Sequence, residues 1–344
     1  MLGISVYFQD FNEEYLREAA KCNAKYIMTS LQIPEEDYSH LDEQLPSFLD
    51  LIHELDMELI PDISEETFRR LNLKSGDFKS LKQKGFHKIR LDYGFDDIET
   101  LKKLLLDFDI VLNASIVDET LLKELIDAQI DMSRISAMHN FYPRQDTGLK
   151  EEEFKEKNKL LHQYGIKIQA FVCGDDIKRF PLYEGLPTLE KHRNIHPYVA
   201  AIDLIRNYYV DDVFIGDSQA CISTLNMINV YMNHNTILLP SFIDKDYQTL
   251  YQEILHCRKE LSPNVIRITT PRVKNIRPRH NQYRRKGCIT IDNELMGRYC
   301  GEVQIMKYDM PMDARCNVIG FIHPDFYEIF DLIDSHMDIK FIKI

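Results

Sequence analysis

Polar residues able to do chemistry recur at one place in a repeating pattern, the end of a short β-branched run. Eight such runs lie at residues 3–7, 26–30, 58–62, 88–92, 110–113, 134–139, 167–171 and 212–216. At or just beyond their ends stand Tyr7, Ser30, Asp62, Arg90 with Asp92, Asn113, His139 with Asn140, Cys173 and Asp217. Side chains alternate along a strand, so Arg90 and Asp92 share one face. An Arg beside an Asp favours the charged carboxylate, suited to act as base, nucleophile or electrostatic stabiliser. Paired carboxyl groups suit glycoside cleavage, one protonating the leaving oxygen and the other stabilising the sugar cation. Asp92 and Asp217 are the leading pair, because the fourth and eighth strands of a closed ring face each other. Asp62, Glu184 and Glu190 are reserves. Against each stands a structural role: an Arg90–Asp92 plug, or Asp62 and Asp217 as helix caps.

Two further clusters surround these acids. Residues 139–144, His-Asn-Phe-Tyr-Pro-Arg, are followed by Asp146-Thr-Gly148. There His139 and Asn140 can read sugar hydroxyls or an amide, with Phe141 or Tyr142 as a stacking face, unless His139 is simply a buried core histidine. Residues 184–193 carry Glu184, Glu190, His192 and Arg193, with Thr188 and Glu190 alternatively opening a helix. An anionic substrate also needs cations. Residues 272–286 hold seven Lys or Arg and no acid, Arg277 and Arg279 among them. A phosphate seat at residues 216–218 is less suitable, because Asp217 would repel it by several kcal/mol at ~4 Å.

What positions these groups is an alternation of strands with amphipathic stretches of apolar spacing near 3.6. Asn12, Ser64 and Asp118 are candidate caps. Alternating β and α elements imply parallel strands joined by right-handed crossovers, and eight units in residues 1–235 fit a (β/α)8 TIM-like barrel better than an open doubly wound sheet. Beyond residue 235 the pattern changes. Residues 236–262 read as a connecting segment with a helix over 246–259. A β-rich domain follows over 263–344, with strands at 263–270, 288–292, 301–307, 317–322 and 339–344 and a helix at 326–333.

Composition narrows the function. The chain has 344 residues, 44% apolar, with 42 Lys and Arg against 55 Asp and Glu for a net charge of -13. That balance disfavours a nucleic-acid partner. Residues 236–344 nonetheless carry 16 cations and 14 acids, a charge change that marks a second unit. No run approaches the ~18 apolar residues of a membrane span, and residues 1–10 lack a basic region before an apolar one, so a soluble, cytoplasmic protein without membrane insertion is expected. Seven scattered cysteines without a C-x-x-C suggest reduced thiols. The first strand has no H-x-H, and His192 and His196 lack an H-E-x-x-H context, so no metal is expected. Neither G-x-G-x-x-G nor a Walker sequence occurs, no strand ends in Lys for Schiff-base chemistry, and Cys173 has no evident base partner; no cofactor is expected.

Several segments together resemble the bacterial MupG-type 6-phospho-N-acetylmuramidases: residues 3–7, Arg-Leu-Asp-Tyr-Gly at 90–94, 112–115, 139–144 with Thr147-Gly148, 184–193, and 276–279 through 287–293. The likeness runs through nearly the whole chain, and the order of the motifs is more specific than any one. Val172-Cys-Gly174 departs from an expected Val-Pro-Gly. The resemblance implies a (β/α)8 barrel followed by a cyclophilin-like β domain in a cytoplasmic glycosidase of cell-wall recycling. It implies as substrate N-acetylmuramic acid 6-phosphate linked to N-acetylglucosamine, delivered by a phosphotransferase system.

The expected reaction is hydrolysis of that phosphorylated disaccharide. Tyr7, Arg90, Asn113, His139, Asn140 and Tyr142 are expected to position the sugar, and Arg144, Arg193, Arg277 and Arg279 to hold phosphate or the lactyl carboxylate. A sugar-phosphate isomerase or aldolase, and a sensor that binds without turnover, are the rival readings.

Overall fold

The computed structural model describes residues 1–30, 38, 41–91 and 97–344. They form two compact units, Met1–Asn229 and Val230–Ile344. In the first, β1 (Leu2–Ser5), β2 (Ala24–Ser30), β3 (Glu58–Ile63), β4 (Lys88–Leu91), β5 (Asp109–Asn113), β6 (Ile135–Met138), β7 (Lys167–Val172) and β8 (Asp212–Ile215) pair in sequence order, all parallel, and β8 closes on β1. This is the expected TIM-like barrel. Its strands are buried on both faces, which is why they read as β-branched runs.

The intervening helices are α1 (Glu13–Lys21), α2 (Leu41–Glu54), α3 (Glu65–Arg70), α4 (Phe78–Gln83), α5 (Ile98–Leu104), α6 (Glu119–Asp127), α7 (Glu151–Gln163), α8 (Pro197–Asn207) and α9 (Ile222–His234). Side-chain caps start several of them: Asn12 accepts from the Tyr15 amide at 3.2 Å and Asp118 from the Leu121 amide at 2.9 Å. Ser64, not Asp62, occupies the cap position of α3, and Asp62 is left to the barrel. No helix among the described residues is long and apolar enough to cross a membrane.

The barrel interior is filled. Tyr26, Met28, Ile60, Val111, Met138, Phe171 and Phe214 form one buried cluster. Gly3 makes room for it: a Cβ there would stand 2.4 Å from the Phe214 ring. The interior is therefore a packed floor, and chemistry has to occur above it, where the strands end.

In the second unit β9 (Thr236–Ile243), β10 (Leu255–Cys257), β11 (Val265–Thr269), β12 (Cys288–Asp292), β13 (Val303–Met306), β14 (Cys316–Ile322) and β15 (Asp338–Lys343) close a smaller barrel in the order β10-β11-β13-β12-β14-β9-β15. All pairs are antiparallel except β9 with β15. The connecting helix expected within 236–262 is absent among these residues. Residues 236–243 are a barrel strand, and 246–259 divide into the 3-10 turn Lys245–Tyr251 and β10. The helical spacing was misleading because Tyr247 breaks the turn at φ -124°, after which Leu255 and Cys257 alternate inward as on a strand.

Candidate active site

The top of the barrel is built from positions in phase with the buried floor. Asp62 on β3 and Arg90 on β4 are register partners, both almost fully buried, and Arg90 Nη1 donates to Asp62 Oδ1 at 2.6 Å. The second Arg90 nitrogen donates to Asn140 Oδ1 at 2.5 Å. Asn140 in turn reaches Ser115 Oγ at 3.4 Å, while Asn113 Oδ1 accepts from the Ser115 amide at 3.0 Å. Tyr142, half-buried, lies beside Ser115, and burial pushes its phenol up. Five of the expected residues, Asp62, Arg90, Asn113, Asn140 and Tyr142, thus belong to one polar chain. Its described carboxylate is Asp62, and Asp92 lies outside the described residues.

Across the mouth the wall is aromatic. Tyr7 packs with Leu186 and Phe141, and Phe141 meets the floor edge-to-face at Phe171, 5.1 Å between centroids. The Tyr7 hydroxyl donates to Gly216 O at 2.6 Å, tying the end of β1 to that of β8. A half-buried Phe141 above a polar chain is a fitting face for a sugar ring. Asp10, in the turn after β1, accepts from Ser218 Oγ at 2.8 Å and adds a partly exposed carboxylate that the sequence reading did not single out.

Other expected residues turn out to hold the scaffold. Asp217 has a fully buried side chain and accepts backbone N–H bonds from Gly174, Arg179 and Leu186 at 2.8, 3.0 and 3.2 Å, with Lys178 Nζ at 3.6 Å. Its oxygens clasp the loop after β7, an arrangement that does not offer them to a substrate. Glu190 does the same for residues 146–148. Paired with Arg193 and accepting from the Asp146 and Gly148 amides, its carboxyl is held down at about 2, too acidic to keep a proton for a leaving group near neutral pH. Arg193 is saturated as well, bonding Glu190 and the carbonyls of Tyr142, Arg144 and Gly185. Glu184 is half-buried and accepts from the Gln145 amide at 3.1 Å; Arg144 is exposed.

His139 lies out of phase. With Met138 in the floor, its neighbour points into the helix layer, 4.5 Å from the Phe154 ring. Nε2 meets Asn158 Oδ1 at 2.6 Å, and Asn158 Nδ2 donates to Tyr208 O, so the imidazole proton sits on Nε2. Complete burial pushes the His139 pKa down to about 4 and keeps the ring neutral. It is a core histidine, packed and hydrogen-bonded within the helix layer and not placed to read a sugar.

The basic segment of the second unit is partly spent on internal pairs. Arg279 bonds Asp246 at 2.6 Å and covers the Tyr247 ring, Arg272 joins Arg258 and Arg267 around the buried Glu302, and Arg284 is buried against Pro311 O. Arg277 is exposed and has no ion pair among the described residues. No group of three or more His, Cys, Asp or Glu able to hold a metal is found among the described residues.

Similarity to known proteins agrees with this architecture. The family model described as 6-phospho-N-acetylmuramidase, N-terminal, matches residues 2–230, and its C-terminal counterpart matches residues 236–342. No curated protein matches the chain. A solved structure of a conserved Enterococcus faecalis protein of unknown function is 31% identical, covering 100% of this chain and 96% of its own, with a TM-score of 0.85. An uncharacterized B. cereus protein is 25% identical over 99% of both chains, with a TM-score of 0.76. From its first barrel through its second, the chain belongs to the 6-phospho-N-acetylmuramidase family.

Proposed function

We propose that the protein hydrolyses the glycosidic bond between N-acetylmuramic acid 6-phosphate and N-acetylglucosamine, in the cytoplasm and as a step of cell-wall recycling. The observation that carries this reading is the buried Asp62–Arg90 pair opening a polar chain through Asn140 and Ser115 beside an aromatic wall, in a chain of this family. Asp62 presents a fixed negative charge to the sugar carbon that becomes cationic as the bond breaks. Proton transfer to the departing oxygen falls to a second carboxyl group. Asp92, two residues beyond Arg90 in sequence, and the partly exposed Asp10 are the candidates. Asn113, Asn140 and Tyr142 orient hydroxyl and acetamido groups, and Phe141, backed by the buried Tyr7, receives an apolar sugar face. Asp217, Glu190 and Arg193 hold the loops in which these groups are set.

The test is incubation of the purified protein with the phosphorylated and unphosphorylated disaccharides, following release of reducing sugar. Cleavage of the phosphorylated compound in preference to the other is expected. Binding without release would make the protein a sensor, and a product with its linkage intact would make it an isomerase.

A further inference from the structure

The second barrel gathers more positive charge at one point than its own acids balance. Along β11 and β13 the side chains alternate: Ile266, Ile268, Val303 and Ile305 are buried, while Arg267 and Gln304, which are register partners, take the other face. Glu302, one residue before β13, is in phase with Gln304 and is nonetheless buried, because three guanidiniums close over it. Arg267 Nε and Nη2 donate to its two oxygens at 2.7 and 3.1 Å, Arg258 Nη1 donates at 3.0 Å and Arg272 Nη2 at 2.9 Å.

The three arginines stand on fixed backbone. The Arg258 amide donates to Arg267 O at 2.9 Å, and Arg272 Nη1 donates to Tyr299 O at 2.9 Å. Gly301, at φ 93°, lets the segment carrying Arg272 pass close to the start of β13, since a Cβ there would stand 2.7 Å from the Val273 amide nitrogen.

Burial alone would raise the Glu302 carboxyl, yet hydrogen bonds from Arg267 and Arg272 hold it at about 2, so it cancels one of the three cations and no more. At the margin the exposed Glu260, which acts on Arg267, is offset by Arg298, which shares the Tyr299 ring with Arg272. Burial pushes the neighbouring Asp292 up to about 6. The excess is therefore two positive charges below that pH and one above it. Donors are also left over: among the described residues Arg258 Nε and Nη2, Arg267 Nη1 and Arg272 Nε make no hydrogen bond. The three side chains remain 30, 25 and 41% exposed, so an anion in solution can reach them. One guanidinium suffices to neutralise a carboxylate. Three held around one repel each other until a second anion shares their outer N–H groups. Donors from three separate guanidiniums suit an anion with oxygens in three dimensions better than a planar carboxylate.

We infer that Arg258, Arg267 and Arg272 around Glu302 form a binding site for a tetrahedral oxyanion, either inorganic phosphate or the phosphate of a small monoester. The site lies wholly within the second unit and does not depend on the reaction proposed for the first. Binding of inorganic phosphate, glucose 6-phosphate and acetate to the full chain is measured by calorimetry for the wild type, Arg258→Gln, Arg267→Gln and Arg258→Lys. Loss of one charge-assisted contact predicts phosphate binding weakened by about tenfold in either glutamine variant, with acetate at least about tenfold weaker than phosphate in the wild type. Arg258→Lys keeps the charge and should retain most of the affinity, which separates loss of the contact from loss of the fold. Phosphate should also raise the melting temperature of the wild type more than that of Arg258→Gln.

Equal affinity for the two phosphates would uphold the site with the free ion as a sufficient occupant, and tighter binding of glucose 6-phosphate would uphold it with a monoester. No phosphate binding by the wild type, acetate bound as tightly as phosphate, or affinity unchanged in both glutamine variants would overturn it.

Discussion

Asp62 and Arg90 come from strands that pair in register at Asp62 with Arg90 and Ile63 with Leu91, so their side chains rise from the same level on the same inner face. Breaking such a buried pair on one side leaves an uncompensated charge, at a cost of about 3–5 kcal/mol. Asp62→Asn should therefore lower both stability and turnover, the latter by at least about a hundredfold if its charge stabilises the transition state. Replacing both partners, Asp62→Leu with Arg90→Met, should restore much of the stability seen in denaturant unfolding but none of the turnover. Full activity in Asp62→Asn would remove Asp62 from the mechanism.

Asp217→Asn tests the clasp. An amide can accept on one atom only, so bonds to the amides of Gly174, Arg179 and Leu186 are lost in part, a cost of about 2–4 kcal/mol. Limited proteolysis should then cut within residues 174–186 faster than in the wild type, and KM should rise more than kcat falls. A collapse of kcat with the loop still protected would return Asp217 to direct chemistry.

His139 makes stability depend on pH. Its folded pKa of about 4 lies below the ordinary 6.5, so between these values the unfolded chain binds more protons. The contribution is complete above about 6.5 and is lost as pH falls toward 4. His139→Gln, which does not titrate, should flatten this part of the unfolding profile, whatever it costs in overall stability.

The second barrel holds a group of opposite sign. Burial pushes Asp292 up to about 6, the nearby Glu302 charge adding to it against a hydrogen bond from the Cys316 thiol. Its contribution is complete below about 3.8 and is lost as pH rises through 6. Asp292→Asn should make the protein less sensitive to pH over that interval and relatively more stable at pH 8. Thermal unfolding at pH 4 and pH 8 measures both shifts.

Gly3→Ala should overpack the barrel floor, because the new methyl meets the Phe214 ring at 2.4 Å. A loss of about 1–3 kcal/mol is expected, and Phe214→Leu in the same chain should recover part of it. Unfolding in denaturant reports both.

The strands of the first barrel were legible because each is buried on both faces and written in β-branched residues. Which residues they offer upward was legible only in part. Asp62, Arg90, Asn113 and Asn140 fall where strand ends predict. His139 directly follows Met138 of the floor, and Asp217 follows Gly216, so both are one step out of phase; alternation alone could not say which set faced inward until the ring was closed. Asp10 escaped notice for another reason. It stands on a turn outside the repeating unit, and its partner Ser218 lies 208 positions away, brought near by the pairing of β1 with β8. In the second unit, β9 was missed because Pro240 interrupts a run in which few residues are β-branched, and β10 because three residues are too few to show alternation.

The parallel pairing of β9 with β15 sets an order of events. The first strand of the second barrel has to wait for the last one, about a hundred positions later, before its ladder from Thr236 to Ser241 can form. Contacts so distant in sequence form slowly, and a ribosome releases residues 338–343 about a hundred residues after β9. Until β14 and then β15 have emerged, β9 lacks its partner strands, so the nascent second unit exposes an apolar run that needs protection from aggregation.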